Sequence, residues 1–187
     1  MGFGMKIVPT AISGVTLVET APYRDERGHF YRAFCNNELA PIIGSRTIEQ
    51  INVSRTLSVG SIRGMHFQRS PHAEMKLIRC IKGKVWDVAV DLRKGSDTFL
   101  QWHAVELSGE NCKMIVIPEG CAHGFQVLEP ESELLYLHTA SYSIESEGGV
   151  RFDEPLVLIN WPLPVSDISP RDKSHPFLQS DFLGLII

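Results

Sequence analysis

Long apolar runs are missing from this chain of 187 residues. No stretch approaches the roughly 20 residues that a membrane-spanning helix needs, so no membrane partner is expected. The opening Met1-Gly2-Phe3-Gly4-Met5-Lys6 has no apolar core of a secretion signal. It also puts Lys6 where a myristoylation pattern needs Ser or Thr. Cysteine is sparse: Cys35, Cys80, Cys112 and Cys121 form neither a C-x-x-C pair nor a zinc spacing. Reduced thiols in a cytoplasmic protein are the expectation. A basic excess is missing too. With 18 Lys and Arg against 22 Asp and Glu, the net charge of −4 and pI near 6.0 argue against a nucleic-acid partner. The basic residues are scattered singly, so any anion site must be built locally.

What the chain does have is 43% hydrophobic residues, enough for a sizeable core in a soluble globule. One domain over residues 1–187 is expected, with a flexible start over 1–6 and a C-terminal arm with short helices over 161–187. Ile7 to Ala21 reads as one or two short strands broken at Ile12-Ser13-Gly14. Tyr23 to Gly28 reads as a charged loop and His29 to Phe34 as a strand. Asn36 to Gly44 is the best helix candidate, with Asn36 as cap, Gly44 as stop and Pro41 just past the first turn. From Ile48 onward strand follows strand. Val85 to Leu92 alternates, with Trp86, Val88, Val90 and Leu92 on one face and Asp87 and Asp91 on the other. Ser169-Pro170-Arg171-Asp172 has the form of a cap and first helical turn. Many short strands with Gly and Pro turns, and no βαβ rhythm, predict an all-β antiparallel barrel or two-sheet jelly roll with small peripheral helices.

Ser61 to Lys76 (S-I-R-G-M-H-F-Q-R-S-P-H-A-E-M-K) gathers the chemistry. It sets Arg63, His66, Gln68 and Lys76 along one extended segment, a layout suited to holding an anion while a proton moves. Strict alternation would put Arg63 and His66 on opposite faces, and a bulge at Gly64 would correct this. A single imidazole in a β-protein can equally be structural. Tyr136, His138, Ala140 and Tyr142 share one face and either line a cavity or reach water at a rim. Asp172 by itself reads as a helix-start carboxylate, and it matters only if it orients His66. The seven histidines form no H-x-H pair. A three-histidine metal site would have to be assembled from distant strands, and the local chemistry does not ask for one.

Through these residues the sequence resembles the dTDP-4-dehydrorhamnose 3,5-epimerase family. The motifs run nearly the length of the chain: D-E-R-G at 25–28, R-G-M-H-F-Q at 63–68, K-L-I-R-C at 76–80 and V-W-D-V-A-V-D-L-R at 85–93. I-P-E-G-C-A-H-G-F at 117–125, L-L-Y at 134–136 and N-W-P at 160–162 follow. The resemblance implies a cupin-type jelly-roll barrel, no metal or redox cofactor, and a homodimer with exchanged N-terminal strands. It implies His66 as base, Asp172 as its carboxylate partner, Tyr136 as opposing acid and Lys76 beside the enolate oxygen. Arg27 and Arg63 would hold a pyrophosphate, with Gln50, Asn52, His123 and Tyr142 at further substrate positions. Three residues depart from the pattern: Arg32 for a common Glu, Ile51 in Q-D-N, and Leu137 for a Lys. None removes a proton-transfer residue.

The implied substrate is dTDP-4-dehydro-6-deoxy-D-glucose, inverted at C3 and C5. A mono-epimerase, a sugar-nucleotide-binding cupin without turnover and a metal-dependent cupin are the competing readings. The chemistry of the residues suits epimerisation, at both carbons or at one, which the motifs do not separate. Inversion beside a ketone needs a base, an acid on the other face and charge stabilisation at the ketone oxygen.

Overall fold

A computed structural model describes residues 4–187. In chain order the elements begin with β1 (Met5–Pro9), β2 (Thr16–Thr20), β3 (Tyr23–Asp25), β4 (Gly28–Phe30), α1 (Asn36–Ile43) and β5 (Gln50–Thr56). Then come β6 (Ile62–Gln68), β7 (Lys76–Lys82), β8 (Lys84–Asp91), β9 (Trp102–Ser108) and β10 (Met114–Ile117). The series ends with β11 (Cys121–Val127), β12 (Ser132–His138), β13 (Glu147–Gly149) and α2 (Pro170–Ser174). Two antiparallel sheets, ordered β1-β2-β10-β7-β12-β5 and β13-β6-β11-β8-β9, face one another as a jelly roll. The expected fold class is therefore the one observed.

Alternation along each strand explains the layering. Between the sheets, Ile78, Cys80, Ile115 and Leu134 of the first meet Val85, Ala89, Leu107 and Phe125 of the second. The outer face of the first sheet is covered by Leu39 and Ile43 of α1, over Leu77, Met114 and Leu137. Val88, Val90 and Leu92, the apolar face expected of β8, lie outside the second sheet, beneath Trp161, Leu178, Phe182 and Leu185. Each such side chain buried contributes roughly 1.5–3 kcal/mol, and this packing fixes the C-terminal arm to the barrel. The Asp87 and Asp91 face is as buried as its opposite, because both aspartates find partners inside.

Four local expectations are corrected. Met5 and Lys6 are not a free start: they pair with Thr20 and Glu19 in β1–β2, and the Met5 N–H donates to Glu38 at 2.7 Å. Only residues 1–3 of that segment lie outside the described residues. The charged loop at 23–28 is a hairpin, Tyr23 pairing with Phe30, so the strand expected at 29–34 stops at Phe30. Asn36 is the first helical residue of α1, not its cap, and Cys35 precedes it without a side-chain cap bond. β12 ends at His138, so Tyr142 leaves the strand face that alternation assigned it.

The bulge at Gly64 is present. His123 pairs with His66 but Phe125 with Arg63, so Gly64-Met65 on β6 oppose Gly124 alone on β11. Gly64 has φ 126°, and a Cβ there would lie 2.4 Å from the Gly124 Cα. No other residue fits so close an approach.

Asp91 anchors the β8–β9 turn by accepting from the Arg93 N–H and guanidinium and from the Ser96 and Thr98 hydroxyls. Burial pushes its carboxyl up, but these donors outweigh that and hold it at about 2. A carboxyl depressed from near 4 when unfolded stabilises the fold above that pH and loses the contribution as pH falls through about 2. In urea titrations, Asp91→Asn should cost about 2 kcal/mol near neutrality, with the gap narrowing as pH approaches about 2. A gap independent of pH would contradict this.

Candidate active site

At one end of the barrel the inward positions change from apolar to polar, and the sheets enclose a cavity of about 260 Å³. On β7 the inward series runs Cys80, Ile78, then Lys76, and on β12 it runs Leu134, Tyr136, His138. Register sets Lys76 opposite His138, and Tyr136 opposite Asn52 of β5. Directly paired residues share a sheet face, so this wall carries Lys76, His138, Tyr136, Asn52 and, next along β5, Ser54. The facing wall carries His66 of β6 directly paired with His123 of β11.

His66 Nε2 donates to Asp172 Oδ1 at 2.8 Å, across 106 residues of sequence. Ser169 caps α2 by accepting from the Asp172 N–H at 3.0 Å, which fixes the residue, and the Gly64 N–H donates to Asp172 Oδ2 at 3.2 Å. Asp172 is 4% exposed. Burial pushes its carboxyl up, but the His66 bond and charge, Gly64 and Ser169 outweigh it and hold the group below the usual carboxylate range. With the Nε2 proton committed to a carboxylate, Nδ1 is left as the basic nitrogen. A second pair lies deeper: His123 Nε2 donates to Asp87 Oδ2 at 2.9 Å, and burial raises the Asp87 carboxyl.

Opposite, Tyr136 meets His123 edge-on with ring centroids 6.0 Å apart and shares a 3.1 Å hydrogen bond with Ser54. Burial first, opposed by the Ser54 bond and reinforced by the Asp87 charge, drives the phenol far above its ordinary value. The neutral phenol is therefore the favoured form. Lys76 is 7% exposed, and its ammonium donates to the His66 carbonyl at 3.1 Å and pairs with Glu74 at 3.3 Å. Glu74 also accepts from His138 Nδ1 at 2.8 Å. Burial pushes Glu74 up, while His138 and Lys76 outweigh it and hold it below the usual range.

Of the remaining residues expected from the sequence, Asn52, His123 and Tyr142 also line the cavity. Tyr142 is half-exposed and donates its hydroxyl to Glu147 at 3.0 Å, while Gln50 accepts from the Tyr142 N–H at 3.0 Å. Arg63 crosses to Thr56 at 2.8 Å and borders an adjoining cavity of about 460 Å³ shared with His66, Asp172 and Arg171. Arg27 is not brought in. It lies on the exposed β3–β4 hairpin in a 2.6 Å pair with Asp25 and lines a separate surface pocket. Sequence reasoning missed Glu74, Ser54 and Glu147. Glu74 could have been found from its place two residues before Lys76, whose inward face it approaches; Ser54 from its even spacing to Asn52.

His66, Asp172 and His175 form the one group among the described residues with metal-ligand spacing, their donor atoms lying within 4.8 Å. His175 Nε2 is buried without a protein partner. His66 Nε2 and Asp172 Oδ1 are hydrogen-bonded to each other.

Comparison with known proteins agrees with this geometry. The dTDP-4-dehydrorhamnose 3,5-epimerase family profile matches residues 9–180. The dTDP-4-dehydrorhamnose 3,5-epimerase of Salmonella typhimurium is 40% identical over 181 residues, 96% of this chain and 98% of that protein. A crystal structure of a dTDP-6-deoxy-D-glucose-3,5-epimerase from Legionella pneumophila, in complex with dTDP-4-keto-L-rhamnose, aligns at TM-score 0.89. It is 38% identical, covering 98% of this chain and 99% of that one. A 3′-monoepimerase from Streptomyces bikiniensis in complex with dTDP-quinovose aligns at 0.84 with 28% identity, covering 91% and 86%. With a cavity walled by His66–Asp172 and Tyr136 and a matching profile over almost its whole length, this chain belongs to the dTDP-4-dehydrorhamnose 3,5-epimerase family.

Proposed function

We propose that the cavity binds dTDP-4-dehydro-6-deoxy-D-glucose and inverts it at C3 and C5 to give dTDP-4-dehydro-L-rhamnose. The observation that carries this is one cavity lined by His66, bonded to Asp172, on one sheet and by Tyr136 and Lys76 on the other, with the Lys76 ammonium bonded to the His66 carbonyl. His66 Nδ1 takes the proton from the carbon beside the ketone, and the C–H electrons move into the C4 oxygen. The Lys76 cation stabilises that enolate, an electrostatic contribution that in a dry site is usually the largest single one. Tyr136 returns a proton to the opposite face of the carbon, the enolate collapses, and configuration is inverted. Asp172 keeps His66 oriented and stabilises its imidazolium. His66 then releases its proton to solvent and Tyr136 regains one, so the cycle closes without a redox or metal step, and exhaustive chelation should leave turnover unchanged. A loss restored by one divalent metal would contradict that.

Arg63 reads as a grip on the pyrophosphate, since a guanidinium matches phosphate oxygens bidentately. Asn52, His123, Gln50 and Tyr142 are the proposed sugar and nucleotide contacts. The Legionella complex supports a dTDP-sugar as the small-molecule partner. For the assembly we favour a homodimer. β5 is an edge strand, and its outward Ile51 and Val53 are 60% and 61% exposed. Such an edge invites a covering surface. In a dimer with exchanged N-terminal strands, the Arg27 hairpin would reach the partner's cavity. A cytoplasmic location fits the four free cysteines, and among the described residues no helix is long and apolar enough to cross a membrane.

Inversion at one carbon only is the second reading, favoured by the likeness to the 3′-monoepimerase. Turnover of the substrate in heavy water, followed by NMR, separates the two. Deuterium at both C3 and C5 is the expected result; label at one carbon selects the mono-epimerase. No label from any dTDP-4-keto-6-deoxy sugar overturns the proposal. His66→Ala should reduce labelling by about 10²–10⁴-fold while dTDP still binds, and full labelling would refute the base assignment.

A further inference from the structure

We infer that His138, held by Glu74, is a proton relay that recharges Tyr136 between the two inversions. The inference rests on the double inversion proposed above. One inversion leaves His66 carrying a proton and Tyr136 as a phenolate. A second inversion in the same bound sugar requires both to be reset: His66 must lose a proton to solvent, and Tyr136 must gain one. Tyr136 is partly buried against the inner core, and a phenolate in such surroundings is costly. A donor on the same wall removes that cost.

His138 stands where such a donor is needed. It lies two residues after Tyr136 on the same inward face, and the two rings stack at 17° with centroids 6.0 Å apart. Both line the cavity. Its Nδ1 donates to Glu74 at 2.8 Å, so the imidazole carries a buried carboxylate behind it, as His66 does on the opposite wall. With Nδ1 held by the carboxylate, Nε2 is the ring nitrogen left to carry a proton to and from the cavity. Nε2 lies 3.4 Å from the Asn52 side-chain nitrogen, and Tyr136 bonds the hydroxyl of Ser54, two residues further along the same strand. The surrounding charged and titratable groups are Glu74 and Lys76 of the β7 side and Tyr136 of its own strand, with His66 and His123 across the cavity.

The step balances. Protonated His138 passes its Nε2 proton to the Tyr136 oxygen, through Ser54 or a cavity water. It becomes neutral with Nδ1–H still on Glu74, and then takes a proton from solvent at Nε2. His66 releases its own proton to solvent. Each inversion therefore consumes one solvent proton on the Tyr136 side and returns one on the His66 side.

The test is His138→Gln, with enzyme in excess over the sugar nucleotide in heavy water, resolving the first and second deuterium by rapid quench and NMR. The ratio of second to first labelling rates should fall about 100-fold relative to wild type. Singly labelled, singly inverted sugar should accumulate, and added imidazole should restore the second step. An unchanged ratio, or equal loss of both labels, overturns the relay, because a merely structural role would slow both steps together. Failure of the underlying reading looks different: wild type itself would then label one carbon or none.

Discussion

The hydrogen bond between His66 and Asp172 is the contact on which the rest of the site depends. It closes a loop of more than half the chain, and neither partner means much without the other. A carboxylate 4% exposed is costly unless it is paired. Here the pairing is supplied by an imidazole, a backbone N–H and a capping hydroxyl together. What holds Asp172 in reach is not its own short helix. It is the apolar seat of the arm, where Trp161, Leu178, Phe182 and Leu185 lie on Val88, Val90 and Leu92. The outer core of the second sheet is thus also the support of the proposed base.

The inner space of the barrel is divided by the same economy of faces. Positions that alternate inward are apolar through most of each strand and polar only at one end, so the polar groups meet in a single place. There they bond to one another across strands. Three imidazoles each have a carboxylate: His66 with Asp172, His123 with Asp87, and His138 with Glu74. The pairs lie at different depths and on different walls. Tyr136, pushed to hold its proton by burial, sits where the walls come within ring contact. The Lys76 ammonium, bonded to the His66 carbonyl and paired with Glu74, lines the same cavity.

Much of this was legible in the sequence. The alternation of β8 named the face that became the outer core, and S-P-R-D announced the helix that carries Asp172. The odd spacing of Arg63 and His66 required a bulge, and Gly64 supplied it. The pairing of Glu74 with His138 was not legible, because they lie 64 residues apart and meet only through the β7–β12 register. The burial of Asp87 was equally hidden. Periodicity assigns a face but does not say whether that face meets water or a second sheet. The β3–β4 hairpin escaped because its strands are three residues each, too short for a period-2 signal among charged residues. Arg27 carries a family motif yet lies outside the cavity of its own chain, paired with Asp25 on the exposed hairpin.

The central claim is that removal and return of the proton belong to different walls, and one comparison tests it most directly. In heavy water, Tyr136→Phe should still exchange the proton beside the ketone, so deuterium enters recovered substrate without inversion. His66→Ala should neither exchange nor invert. If Tyr136→Phe inverts at the wild-type rate, or loses exchange as completely as His66→Ala, the two-wall account is wrong.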